Sequence, residues 1–288
     1  MENGTLMTGL LYEKNKHGRD HLILFEEKTH TYYVDWEQTA NFSKTNYSVS
    51  ALSKQFFSKF DAVNISKYIK KDDPDTPYFG KTAEEIREMW QTTGKKAAEY
   101  GTLCHSILED YYNTGIIDTI SHADKKEVFQ FIDWNKTMMA KGFDPYRVEW
   151  RLCSSEKYKI VGTLDLICVD PSRTTEDVLA FVLYDHKFSK GINMTGYKGK
   201  RGFGPCAELE DCNFSHYTIA MNMYRYLLEN FYSDFQYNGK TYSKCKIFSM
   251  HLSVFHDSHV DNMCKEYEVP FIESIIVSLF EWRAFQLK

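Results

Sequence analysis

The stretch Gly162-Thr163-Leu164-Asp165, followed by an apolar run that ends in Asp185-His186-Lys187, decides how this chain folds. Both stretches are rich in β-branched and aromatic residues, which predicts two β-strands. Each strand carries one aspartate, and Lys187 is expected on the same strand face as Asp185 because it follows two residues later. Carboxylates are the ligands that Mg²⁺ and Mn²⁺ prefer in proteins. The pattern therefore predicts a metal site with an adjacent lysine, which is suited to the hydrolysis of a phosphodiester.

Further strands and helices are predicted around this pair. Residues 146–152, 157–169, 178–185 and 246–255 have the composition of strands, and residues 22–34 are expected to form a hairpin. Helices are predicted at residues 95–113, 121–141 and 215–231 and after Pro270. The sequence thus predicts an α/β fold, a mixed central sheet flanked by helices.

The amino-terminal third of the chain differs in composition from the rest. Thr82 and Glu85 form a capping-box pattern for a helix through Trp90, which Gly94 is expected to interrupt. We therefore predict a hairpin and helical region at residues 1–94, packed on a core of residues 95–288.

Composition limits the classes of function. The net charge of -5, from 35 basic and 40 acidic residues, argues against a generally cationic nucleic-acid binder, so a DNA partner would need a local basic patch. Seven cysteines without a CxxC pair, and a polar amino terminus, predict reduced thiols in an intracellular protein. We expect no membrane span, because no apolar stretch approaches the ~20 residues that a helix needs to cross a bilayer.

A histidine and a carboxylate share one face of the predicted helix at residues 95–113. Glu109 follows His105 by four residues, so both side chains point the same way. His105 is a third candidate metal ligand, although a helix histidine taken alone is more often structural. The backbone carbonyl of His186, between Asp185 and Lys187, is a further candidate oxygen ligand.

The order of these motifs resembles that of the RecB-type nucleases of the PD-(D/E)XK superfamily, and of lambda-exonuclease-like viral enzymes. The shared order is a Gly-Thr-x-x-His helix, a strand glutamate at Glu149, a Gly-x-x-Asp strand, an Asp-x-Lys strand and a tyrosine-bearing helix, over residues 48–255. The resemblance implies a restriction-endonuclease-like core with metal ligation by His105, Asp165 and Asp185. It also implies a catalytic role for Lys187, with Glu149 and Glu109 as supporting catalytic candidates.

The last motif of the family departs from its usual form here. The family has Tyr-x-x-Gln-x-x-x-Tyr, and this chain has Tyr217, Ala220 and Tyr224 at the matching places. Both tyrosines are candidate substrate-binding residues, or else ordinary core aromatics. Because Ala220 replaces the glutamine of the family motif, the positioning contact that the glutamine amide makes is in doubt.

A glycine-rich basic stretch follows the lysine strand. Lys190, Lys198, Lys200 and Arg201 are interleaved with aromatic residues, so phosphates could be neutralised while bases stack. This favours single-stranded DNA or a frayed DNA end as the partner, although such a composition also produces plain solvated loops.

Together these patterns predict a deoxyribonuclease that depends on one or two Mg²⁺ or Mn²⁺ ions. We expect an exonuclease that acts on DNA ends in replication, recombination or repair. The alternatives are a catalytically silent nucleic-acid-binding module and an RNA-cleaving nuclease. We predict no iron-sulfur cluster, because Cys206 and Cys212 lack an accompanying CxxC and no cysteine precedes the histidine helix.

Overall fold

The computed structural model describes residues 9–45 and 47–288. The polar amino terminus mentioned above lies outside the described residues. The helices are α1 (Leu10–Lys14), α2 (Val49–Lys54), α3 (Ala62–Tyr68), α4 (Ala83–Thr114), α5 (Lys126–Ala140), α6 (Asn213–Phe231) and α7 (Glu273–Gln286). The strands are β1 (Ile23–Glu26), β2 (Thr31–Val34), β3 (Ser43–Thr45), β4 (Asp144–Cys153), β5 (Val161–Val169), β6 (Val178–Phe188), β7 (Phe235–Tyr237), β8 (Lys240–Tyr242), β9 (Lys244–Phe255) and β10 (Lys265–Glu268).

A five-stranded sheet in the order β10-β9-β6-β5-β4 forms the centre of the molecule. Strands β6 and β9 pair in parallel, and the other neighbours pair antiparallel. The predicted α/β fold with a mixed central sheet flanked by helices is therefore confirmed. The central strands β5 and β6 are nearly continuous apolar runs, because both faces of the sheet are covered there.

Each face of the sheet packs against its own set of helices. Leu179, Phe181 and Leu183 of β6 belong to a large core that includes residues of α2, α6 and α7. Val182 and Tyr184 belong to a second core with residues of α4 and α5. We call these the α6 face and the α4 face. Side chains that alternate along β6 are thus shared between the two cores.

Two helix predictions are wrong. Gly94 does not interrupt the helix, since α4 runs through it for 32 residues from a capping box at Thr82 and Glu85. One glycine costs about 1 kcal/mol in a helix, which a long cooperative helix tolerates. The division predicted at residue 94 falls within α4.

The helix predicted at residues 121–141 begins later than expected. The Asp118 carboxylate accepts the backbone N–H groups of Ile120 and Ser121, which turns the chain there. Helix α5 therefore starts at Lys126.

The amino-terminal hairpin is confirmed, since β1 pairs antiparallel with β2, and β3 adds a third strand. The β7–β8 hairpin was not predicted, although its Asn238-Gly239 turn is a strong local signal for one. Among the described residues, no helix combines the length and the apolar character needed to traverse a membrane.

Candidate active site

Three acidic residues lie side by side on the strands β4, β5 and β6. Val148 pairs with Leu166 and Trp150 pairs with Leu164, so Glu149 lies opposite Asp165. Leu166 also pairs with Tyr184. The residues next to this pair are Asp165 on β5 and Asp185 on β6, so these two aspartates lie opposite each other. The sheet register therefore brings together carboxylates that are up to 36 positions apart in the sequence.

The regular alternation of side chains reverses at two of these acids. Val148 and Leu166 pack on the α4 face, whereas Trp150 and Leu164 pack on the α6 face. In a regular strand, residues two apart share a face. The reversal means that Glu149 and Asp165 do not follow the pleat, and local irregularities of this kind re-aim side chains next to functional sites.

Helix α4 brings His105 to the two re-aimed carboxylates. Its Nδ1 lies 3.2 Å from Glu149 Oε1 and 3.8 Å from Asp165 Oδ2. The three donor atoms lie within 4.8 Å of one another. Such spacings fit neighbouring ligands of one divalent ion, whose bonds to oxygen or nitrogen are about 2.0–2.6 Å long. An imidazole with two carboxylates suits Mn²⁺ and related ions.

The main chain of His186 contacts this group through its amide. The backbone N–H of His186 donates to Asp165 Oδ2 at 2.7 Å. This bond fixes the Asp165 carboxylate against the strand that carries Asp185. The His186 imidazole is buried on the α4 face among Phe131, Trp134 and Phe255, so its contribution beside the acids is a main-chain one.

Asp185 and Lys187 form the adjoining part of the site. Lys187 Nζ lies 2.7 Å from Asp185 Oδ2, and the ring of Tyr217 lies 4.8 Å from the same ammonium. Burial alone would lower the pKa of Lys187, but the carboxylates of Asp185 and Asp165 raise it above its ordinary value. Lys187 is therefore held as a cation, between two acids and an aromatic face.

Asp185, His105 and Glu109 also have pKa values shifted toward their protonated forms. Burial raises the pKa of Asp185 to about 6, and the nearby Asp165 adds to the shift. For His105, burial opposes protonation, but Asp165 and Glu149 outweigh it and raise the pKa to about 9. Burial, reinforced by Glu149, raises the pKa of Glu109 to about 7. The site is thus short of positive charge, which a divalent cation would supply.

The two family-matched tyrosines occupy different environments. Tyr217 is partly exposed beside Lys187. Tyr224 is only 5% exposed and lies in the main core, so it is not on a surface that a substrate could reach. A Cβ at Gly162 would lie 2.9 Å from the Tyr224 hydroxyl, so the glycine of the Gly-Thr-Leu-Asp stretch provides the space for this ring. Ala220 packs against the same core.

One residue beside the site was missed from the sequence. The Tyr32 hydroxyl lies 2.8 Å from Thr163 Oγ1, two residues before Asp165. Tyr32 belongs to the amino-terminal hairpin, and no local pattern links that hairpin to the acids. Only the packing of β2 beside the central sheet reveals the contact.

The basic stretch is an ordered loop with part of its charge already paired. Lys190, Lys198 and Lys200 are exposed. Arg201 lies 3.2 Å from a carboxylate oxygen of Glu210 and donates to the carbonyl of Glu208. The loop is also tied to the residues after α2, since Phe203 N donates to Phe56 O. All four predicted phosphate-binding cations are exposed, and Arg201 is the one of them that the described residues show in an ion pair.

No family model matches the sequence, and no curated protein matches it significantly.

Proposed function

We propose that this protein is a divalent-metal-dependent nuclease with a restriction-endonuclease-like core, and that it hydrolyses DNA. The observation that carries the proposal is the meeting of His105, Glu149 and Asp165 within 4.8 Å of one another, beside the Asp185–Lys187 pair. A purely structural cluster would balance its charges internally. This one keeps several carboxylates close together and raises the pKa of Asp185 and Glu109.

The chain's own residues have distinct roles in this reaction. His105, Glu149 and Asp165 would hold the ion, and Asp185 lies on the adjoining strand to complete its ligands. A bound Mg²⁺ or Mn²⁺ would polarise the phosphate and lower the pKa of an attacking water. The Lys187 ammonium would orient that water and stabilise the negative charge that develops on the phosphate oxygens. Asp185 and the Tyr217 ring hold the ammonium in position.

The neighbouring loop favours a flexible or frayed strand as substrate. Its exposed lysines can neutralise phosphates, and Tyr197 and Phe203, which are 73% and 51% exposed, can stack on unpaired bases. We therefore propose an exonuclease that acts on DNA ends in recombination, replication or repair. The seven cysteines are free thiols in the structure, in keeping with our proposal that the enzyme works inside the cell.

The proposal is tested by incubating end-labelled linear DNA, single- and double-stranded, with the protein and Mg²⁺ or Mn²⁺. A closed circular DNA and an RNA of the same sequence are run in parallel. We expect linear DNA to shorten progressively while the circle survives, and we expect EDTA to stop the reaction. Asp185→Ala should be inactive, whereas Asp133→Asn, on the exposed face of α5, should retain full activity.

Other outcomes would change the proposal in defined ways. DNA binding without cleavage under any divalent ion would identify a silent binding module. Preferential cleavage of RNA would replace the substrate class, and equal cleavage of the circle would remove the dependence on ends. Unchanged activity of Asp185→Ala would overturn the proposed site.

A further inference from the structure

Glu149 has an unusual backbone conformation for its place in the fold. Its φ is 45°, in the left-handed region, although it lies within strand β4 and is not a glycine. Residues other than glycine adopt this region at an energetic cost, and they stay there only when the surrounding structure holds them. The conformation accounts for the reversal between Val148 and Trp150, which turns the Glu149 carboxylate toward His105.

One buried carboxylate holds both sides of this left-handed residue. Asp20 is 3% exposed. Its Oδ2 accepts from Arg147 Nη1 at 3.0 Å, and its Oδ1 accepts from Trp150 Nε1 at 2.9 Å. Arg147 lies two residues before Glu149, and Trp150 lies one residue after it. The distance between these two side chains is therefore fixed by a single acid.

The segment around Asp20 is itself fastened to the same strand. The Asn15 side chain donates to the carbonyl of Tyr146 at 2.7 Å, and the Asn15 carbonyl accepts from Arg147 Nη1 at 3.0 Å. Asp20 Oδ2 also accepts the backbone N–H of His17 at 2.8 Å. Residues 15–20 thus act as a clamp on strand β4, and we call them the Asp20 clamp.

We propose that Asp20 is a positioning residue for the candidate metal ligand Glu149. By binding Arg147 and Trp150 together, its carboxylate keeps the strand in the left-handed turn that aims Glu149 at His105 and Asp165. Asp20 does not touch the ligand set, and it acts through the backbone of β4. The inference rests on the proposed metal site, and it explains why a segment about 130 positions away in the sequence is packed so closely behind that site.

The first test measures Mn²⁺ affinity by calorimetry on Asp20→Asn, which keeps the shape of the side chain and removes its charge. Trp150→Phe, which removes the indole donor of the clamp together with part of a buried ring, is measured beside it. Residues that orient metal ligands typically change affinity 10- to 100-fold when they are altered, and we expect a loss of about that size in both variants. Tyr237→Phe is the matched control, because it removes a hydrogen bond to Asp144 of the same strand, away from the clamp. Its affinity should stay within about twofold of wild type.

Folding is followed in each variant by circular dichroism and Tm, so that lost affinity is read only from folded protein. Unchanged Mn²⁺ affinity in folded Asp20→Asn and Trp150→Phe would overturn the clamp. Failure of the wild-type protein itself to bind Mn²⁺ would instead overturn the proposed metal site.

A second test needs no metal and therefore separates the two failures. Glycine adopts a positive φ without the cost that other residues incur, so a strand with Glu149→Gly does not need to be held. We expect Asp20→Asn to lower Tm less in a Glu149→Gly background than in wild type, whereas Tyr237→Phe lowers it equally in both. Equal losses for Asp20→Asn in the two backgrounds would overturn the proposal even if the metal site stands.

Discussion

Arg147 and Glu149 lie two residues apart on strand β4, yet the charge of Arg147 is neutralised by a buried partner and that of Glu149 lies among other acids. Arg147 is fully buried, pairs with Asp20 at 3.0 Å and packs on the rings of Tyr12 and Trp150. The Glu149 side chain is 27% exposed and lies opposite Asp165. Its charge also raises the pKa of the nearby Glu109. The first charge is balanced within the chain and serves the fold. The second belongs to a group with excess negative charge, which is suited to binding a cation.

The largest expected effect comes from breaking the balanced pair. Asp20→Ala leaves the Arg147 guanidinium buried without its carboxylate, which should lower the free energy of unfolding by about 3–5 kcal/mol. Glu149→Gln, which removes a charge from the acidic group, should change it by less than about 1 kcal/mol. Urea unfolding in EDTA measures both. Similar losses in the two variants would contradict the contrast between the two sites.

Lys187 tests whether the acidic group performs chemistry. Lys187→Ala should reduce the rate of DNA hydrolysis by about 10²- to 10³-fold, because the ammonium that stabilises the developing charge is lost. Lys136→Ala is the control, since this lysine is exposed on α5 and has no role in the proposed site. Initial rates on labelled linear DNA at saturating Mn²⁺ compare the two. A comparable rate in Lys187→Ala and Lys136→Ala would remove Lys187 from the mechanism.

Glu109 gives the acidic group a predictable response to pH. Its pKa is raised from 4.5 to about 7, so the folded protein takes up a proton more readily than the unfolded chain. This contribution stabilises the fold at low pH and is lost as pH rises from about 4.5 to about 7. Glu109→Gln should therefore be more stable than wild type at pH 8 without metal, by on the order of 1–2 kcal/mol after allowing for solvent screening.

The same comparison is made across a pH series of thermal unfolding in EDTA. Glu88→Gln, at an exposed position of the same helix, should follow the wild-type curve. A stability difference between Glu109→Gln and wild type that stays constant from pH 5 to pH 8 would show that repulsion within the acidic group is not its cause.

The smallest expected effect compares an exposed lysine of the basic loop with an exposed arginine that already has an acidic partner. Lys200→Ala should reduce the salt dependence of DNA binding by about one unit of slope, because an exposed phosphate contact is lost. Arg201→Ala should reduce it less, since Arg201 already pairs with Glu210. Fluorescence anisotropy between about 50 and 200 mM salt measures both slopes. Equal slopes for wild type and Lys200→Ala would exclude Lys200 from the interface.

The sequence predictions succeeded where an element is determined by residues close to it in the sequence. The strands β4, β5, β6 and β9 were predicted because runs of β-branched and aromatic residues between turn residues identify strands without reference to distant residues. The capping box at Thr82 was equally local. The interruption predicted at Gly94 was wrong because the long helix around it tolerates one glycine. The helix start predicted at Ser121 was wrong because the Asp118 carboxylate accepts the N–H groups of Ile120 and Ser121.

The candidate site shows the same division. Asp165, Asp185 and Lys187 stand out because their spacing on apolar strands is visible in the sequence. Glu149 entered as a supporting catalytic residue, yet the structure places it beside His105 as one of three grouped donors. Its left-handed backbone could not be predicted, because glutamate rarely adopts that conformation and Asp20, the acid proposed to hold it, lies about 130 positions earlier in the sequence.

The sequence by itself determined the α/β class, the positions of the principal strands along the chain, and the presence of two aspartates and a lysine on two consecutive apolar strands. These features follow from the apolar pattern and from residue spacing along each strand. Only the tertiary structure decided which charges are balanced and which are in excess. That outcome depends on distances between side chains more than 100 positions apart, as between Asp20 and Arg147, and strand periodicity carries no information about such distances.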